Sequence, residues 1–185
     1  METIEVRTEV RVEPRTAFEF LLDFTNYADF SPYVRDVTIE TPGKSIAGVS
    51  RGIGTIYDVT FGWWRLSYRI QTEVTDVRPP ERIGWRVASD LDARGRWEVE
   101  PVQSEDGDAT TVRFVVTYDS GGSEPNDFDR PSFISFDWIV DAVIPIIEKE
   151  GRRVVDRVVT ALEGESRPVD LVVEKRSGPI DRPSE

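Results

Sequence analysis

Apolar and charged residues alternate from the first positions of the chain: Ile4, Val6, Val10 and Val12 fall on one side of an extended segment, Glu5, Arg7, Glu9 and Arg11 on the other. Period-two alternation predicts a half-buried strand, one face toward the core and one toward water. After Pro14 the period changes: Phe18, Leu21 and Leu22 recur at helical spacing, and Asn26 and Pro32 break the helix. Val34 to Thr41 resumes as a strand and stops at Pro42-Gly43. Gly52 to Phe61 reads as the next, with Ile53, Thr55, Tyr57, Val59 and Phe61 on one side; Gly62 turns the chain before Trp63-Trp64. A long alternating strand from Leu66 to Val74 follows, closed by Pro79-Pro80. Three more carry Ile83, Trp85 and Val87, then Trp97 and Val99, then Val112, Phe114, Val116 and Tyr118. About six to seven strands with close Asp/Gly/Pro-rich connections favour an antiparallel meander over a βαβ arrangement.

Ser120 to Pro131 reads as a polar loop, with Asp129 placed to cap the next helix and Phe128 and Phe133 to staple it. That helix is predicted to run to about Leu162; roughly 30 residues would span ~45 Å, so a bend is expected at Pro145. Phe133, Asp137, Val140, Ile144, Ile147, Gly151, Val154, Val158 and Leu162 share the face expected to pack on the sheet. From Glu163 onward the periodicity ends apart from Leu171-Val172-Val173, which suits one edge contact, and the last ten or so residues are expected to be mobile.

Composition narrows the chemistry. A chain of 185 residues fits one domain, able to bury roughly 70% of its unfolded surface. It has no Cys and no His. That removes disulfides, thiolate nucleophiles, the commonest general base and the commonest transition-metal ligand. A formal charge of −12 opposes binding to phosphate backbones or anionic lipid, so nucleic acid is not expected as a partner. The only lysines are Lys44, Lys149 and Lys175. Acidic excess with so little Lys suits a high-salt cytoplasm, such as that of a halophilic archaeon. No window approaches the ~18 apolar residues of a membrane span, and the charged N-terminus is unlike a signal peptide, so the expected location is cytoplasmic.

Residues 18–39 run from a short amphipathic helix through an aromatic, proline-stopped turn into a strand, and within them Asn26-Tyr27-Ala28-Asp29-Phe30-Ser31-Pro32-Tyr33 sets an Asn-Tyr pair before an aromatic and a proline. This segment, with the order of elements over residues 2–162, resembles the START-like (SRPBCC) superfamily, which includes polyketide cyclase/dehydrase-like and coenzyme Q-binding proteins. The resemblance implies an α+β helix-grip fold, a curved antiparallel sheet wrapped around a long C-terminal helix with two short helices after the first strand. It further implies an apolar cavity between sheet and helix. The domain is then residues 1–162, with 163–185 as a tail.

Polar groups aimed into such a cavity are the ones to weigh. Asp137 stands on an otherwise apolar helix face, where a carboxylate is costly to desolvate unless paired or protonated. Tyr57, Tyr68 and Tyr118 lie in phase with apolar strand neighbours, and Trp85 and Trp97 share that phase, so all five are candidate ligand contacts together with Val140 and Ile144. Alternation places Arg69 and Arg86 on the opposite side. Two adjacent tryptophans in a connection cannot both point inward, which makes Trp63 and Trp64 candidates for a cavity lip, a homodimer contact or a protein partner site.

Three functions remain open. One is binding or carriage of a small to medium apolar ligand: a lipid, an isoprenoid or an aromatic polyketide-like compound. A second is a cyclase/dehydratase-like enzyme in which Asp137, Tyr57, Tyr68 and Tyr118 serve as acid–base groups. The third is a partner-binding module like the coenzyme Q-binding or toxin-like branch. No cofactor and no metal is expected. The glycines of 48–54 precede a strand with no helix to offer its N-terminus, and Glu105 to Asp108 read as a solvated hairpin.

Overall fold

The structure, a computed structural model, describes residues 1–46, 51–63, 66–88, 92–104, 107–118 and 151–177. Strand β1 (Glu2–Val10) leads into helix α1 (Pro14–Leu22), a 3-10 turn (Phe24–Asn26) and helix α2 (Tyr27–Phe30). Six strands follow: β2 (Val34–Thr41), β3 (Ile56–Trp63), β4 (Leu66–Arg78), β5 (Arg82–Val87), β6 (Ala93–Ser104) and β7 (Gly107–Tyr118). Residues 151–163 are helical, and β8 (Val172–Ser177) closes the described chain. All eight strands form one sheet in the order β2-β3-β4-β5-β6-β7-β1-β8. Every pairing is antiparallel.

The sheet has one strand more than the alternation pattern indicated, because Val172 and its neighbours pair with β1 from Arg7↔Val172 to Glu2↔Ser177. Two boundaries also differ. Strand β3 starts at Ile56: Gly54 takes φ +86°, and the Thr55 hydroxyl donates to Gly52 O at 2.6 Å and accepts from Gly43 N at 3.1 Å, so 52–55 forms a turn. That left-handed φ suits glycine. Strand β4 continues past Val74 to Arg78 because an irregularity between Val74 and Asp76 changes the phase and returns Val77 to the core.

Helix α1 forms where the sequence predicts it. Pro14 occupies its first turn, Ala17, Phe18, Leu21 and Leu22 are buried, and the Asp23 carboxylate then accepts from Thr25 N at 3.2 Å to start the 3-10 turn. Its four apolar side chains meet Val10, Val37, Tyr57, Val74, Ile83, Val99, Val112 and Val159 in one core. Each of the large ones contributes about 1.5–3 kcal/mol on burial. The C-terminal helix ends in a polar latch. Glu163, its side chain only 3% exposed, accepts two bonds from Arg167 at 2.7 Å and one from Arg11 N at 2.8 Å. Arg167 also donates to Glu9 O at 3.0 Å, so the latch ties the helix end to β1.

The outer sheet face carries the charges, as alternation requires. Arg86 donates to Glu73 at 2.6 and 2.9 Å, Arg113 bridges Glu5 at 3.2 Å and Glu98 at 3.1 Å, Arg96 binds Glu98 at 2.6 Å, and Arg69 binds Asp58. Arg69 and Arg86 therefore point away from the inner wall, as expected.

Candidate functional site

Cross-strand register assembles the inner face. Tyr57 pairs with Thr72 and Phe61 with Tyr68; Ile83 pairs with Trp97, Trp85 with Gly95, Trp97 with Phe114 and Ala93 with Tyr118. One end of this face is sealed. There α1 and the 3-10 turn cover Val10, Tyr57, Val74, Ile83 and Val99, all at most 1% exposed. The other end is different: Phe61, Tyr68, Ile70, Trp85, Val87, Trp97, Phe114 and Val116 are only half-buried. Large apolar side chains left partly open on a concave sheet are the ordinary makings of an apolar ligand site.

Its aromatic members form a continuous surface. Phe114 lies 4.3 Å from Trp97 and 6.1 Å from Trp85, the latter nearly parallel at 23°. Tyr27 meets Trp97 edge-on at 6.2 Å and stacks on Phe24 at 4.9 Å, and Phe24 stacks on Tyr57 at 4.9 Å. The aromatic series thus runs from the sealed core to the open wall. Trp85 can lie over β6 because its partner there is Gly95: a Cβ at that position would come within 2.3 Å of the indole.

The three tyrosines have distinct settings. Tyr57 is fully buried and its hydroxyl sits 3.4 Å from Leu22 O, beneath the 3-10 turn. Burial pushes its phenol up to about 12; Asp23 adds to the rise, and Arg51, itself paired with Asp23, opposes it. Tyr68 is half-buried on β4 opposite Phe61. Tyr118 is 5% exposed and its hydroxyl donates to Glu2 Oε2 at 2.6 Å. Asp137, Val140 and Ile144 lie outside the described residues, as do Trp64 and the side chain of Trp63. So do residues 120–131, where a polar loop is expected, Pro145, where a bend is expected, and residues 178–185.

Tyr27 of the Asn-Tyr signature is an anchor. Its hydroxyl donates to Leu21 O at 2.7 Å. Burial raises its phenol well above the ordinary value, with the adjacent Trp97 indole acting the other way. Phe30 packs on Phe20 at 5.3 Å, and Arg157 donates to Phe30 O at 3.2 Å, which holds α2 to the C-terminal helix.

With this geometry, the comparisons with known proteins agree on the fold. A family described as polyketide cyclase / dehydrase and lipid transport matches residues 1–163. The chain belongs to this family. Among solved structures, a START superfamily protein from Mycobacterium smegmatis superposes with TM-score 0.61 at 11% identity, over 89% of this chain and 99% of that one. The Zhui aromatase/cyclase from Streptomyces sp. R1128 gives 0.61 at 14% identity, over 88% and 94%. A Thermus thermophilus protein, TTHA0849, gives 0.60 at 13%, over 88% and 97%. None of the curated proteins matches the chain. At such identities the structures establish the helix-grip architecture and nothing narrower. The match to family members ends at Glu163, so β8 lies beyond it.

Among the described residues no helix is long and apolar enough to cross a membrane, and no three His, Cys, Asp or Glu side chains converge as metal ligands. Several contributors to the wall are not among the residues that the sequence singles out. Phe61, Ile70, Val87, Phe114 and Val116 share the inward phase but carry no polar group to mark them; Gly95 carries no hydrophobic signal, and Glu2 declares itself only through its contact with Tyr118.

Proposed function

We propose that the protein binds or carries a small to medium apolar molecule, such as a lipid, an isoprenoid or an aromatic polyketide-like compound, against the open end of its concave sheet. The half-buried wall of Phe61, Tyr68, Trp85, Trp97 and Phe114 carries this reading, because elsewhere the same face is sealed by α1. Membership in a family that includes lipid transport supports it. Asp137, Val140 and Ile144, which the sequence period predicts to share a helix face, would complete the site from the helical side. Binding energy would come mainly from apolar burial at about 25 cal/mol per Å² removed from water. The acidic, Lys-poor composition supports a high-salt cytoplasm as the setting.

Acid–base catalysis by the inner phenols is the weaker reading. Tyr57 keeps its proton to about pH 12 and is wholly enclosed. Tyr118 already spends its hydroxyl proton on Glu2. A cyclase or dehydratase role would therefore fall on Tyr68 and Asp137.

The test is a titration of tryptophan emission with a quinone or a fluorescent fatty acid, alongside native mass spectrometry of the purified protein. Saturable quenching at micromolar concentration, reduced about tenfold or more in affinity by Phe114→Ala, is expected. Unsaturable quenching, equal in the variant, would sink the proposal.

A further inference from the structure

At the edge of the concave wall stands a polar cluster that an apolar carrier does not need. Alternation with Ile4 and Val6 sets Glu2 on the inner side of β1, where it pairs in register with Tyr118. The Tyr118 hydroxyl donates to Glu2 Oε2 at 2.6 Å, and Lys175 Nζ of β8 lies 3.8 Å from the same oxygen. Both contacts fall on Oε2, so Oε1 has no partner among the described residues. The carboxylate is 26% exposed, at the boundary between wall and solvent. Its neighbours are apolar: Tyr118 packs with Ile4, Ala93, Val6, Val87 and Val116. Val116 in turn pairs with Gly95, over which the Trp85 indole lies.

We infer that Glu2 Oε1 is a hydrogen-bond acceptor for ligand, and that it selects, among apolar molecules of suitable size, those ending in an alcohol or phenol hydroxyl. This rests on the apolar-ligand reading above. A carboxylate that accepts from one phenol and faces one ammonium is already oriented, so a hydroxyl reaching its second oxygen gains a bond without further ordering. A ligand carboxylate would meet like charge there, with Lys175 already facing Glu2. An ether or hydrocarbon end would make no bond. The cation comes from β8, beyond the part of the chain shared with the family, so the selectivity would be a property of this chain.

Calorimetry with 2-naphthol and 2-methoxynaphthalene tests it, since the two share a ring system and differ in one donor proton. The hydroxyl compound is expected to bind about tenfold more tightly, the usual worth of one bond to a charged acceptor. In Glu2→Leu the two affinities should converge by loss of 2-naphthol binding alone, and Glu2→Gln, which keeps a carbonyl acceptor without the charge, should recover part of the preference. Circular dichroism of each variant checks that β1 remains paired. Equal affinities in the parent, or a preference that survives Glu2→Leu, overturn the anchor while leaving the apolar site standing. If neither compound binds, the apolar-ligand reading fails and the anchor with it.

Discussion

Trp85 and Gly95 face each other across β5 and β6, and the indole occupies the space that a side chain on residue 95 would need. The glycine opens a slot in the sheet, the tryptophan fills it, and Phe114 is thereby left stacked near-parallel to the indole. A position that weakens a strand by propensity becomes the seat of one of the wall's two indoles.

Gly95→Val should therefore displace the indole, with an overpacking cost of about 1–3 kcal/mol. Chemical denaturation measures the loss, and a red shift of tryptophan emission reports the displaced ring. An unchanged midpoint and spectrum would mean that Trp85 has another place to lie.

Tyr27, half-buried, and Tyr57, fully buried, make unequal hydrogen bonds, 2.7 Å to Leu21 O against 3.4 Å to Leu22 O. Tyr27→Phe should cost about 1 kcal/mol and Tyr57→Phe markedly less, since a long bond returns little of its desolvation. Thermal melts rank the two; the reverse order would contradict the geometry.

The same phenols set an alkaline limit. Unfolded, tyrosine ionises near pH 10, whereas folded Tyr57 holds its proton to about 12 and Tyr27 is also raised. The unfolded chain thus binds fewer protons in this interval, and stability must fall as pH rises. It should be intact below pH 10 and decline between about 10 and 12. Phenolate absorbance followed with the melting midpoint decides this: five tyrosines ionising together near 10 in the folded protein would be the contrary result.

Glu163 sets an acid counterpart. Burial alone would raise its carboxyl, but the bonds from Arg167 and from Arg11 N outweigh that and hold it below the ordinary value of 4.5. The stability it contributes is present above that value and is lost as pH falls through the lowered one. Glu163→Gln should cost about 2 kcal/mol at neutral pH and flatten the acid limb of the stability curve. A variant as stable as the parent at pH 7 would show the latch to be idle.

Salt should stabilise the protein. The exposed pairs on the outer sheet face are worth about 0–1 kcal/mol each, so screening them costs little, while a net charge of −12 repels itself throughout. Melting midpoints in dilute buffer and in molar KCl should differ by several degrees in favour of salt, and equal midpoints would remove the case for a high-salt setting.

Much of this architecture is legible in the chain because strands and amphipathic helices write their period into it. Ile4-Glu5-Val6-Arg7 and Val112 to Tyr118 alternate because one side of each strand is dry, and Phe18, Leu21 and Leu22 recur because one side of α1 is. The inward phase of Tyr57, Tyr68, Trp85, Trp97 and Tyr118 follows from that rule alone. Alternation is silent about distance along a strand, so only the folded sheet separates Tyr57, sealed under Phe24, from Tyr68, half-open on the next strand. Pairings that join remote segments are equally invisible in sequence: β8 on β1, Glu163 on Arg11, and Glu2 on Tyr118, 116 positions away. Local periodicity is fixed by which face meets water. The partner a side chain finds is fixed by register between strands, which no single segment contains.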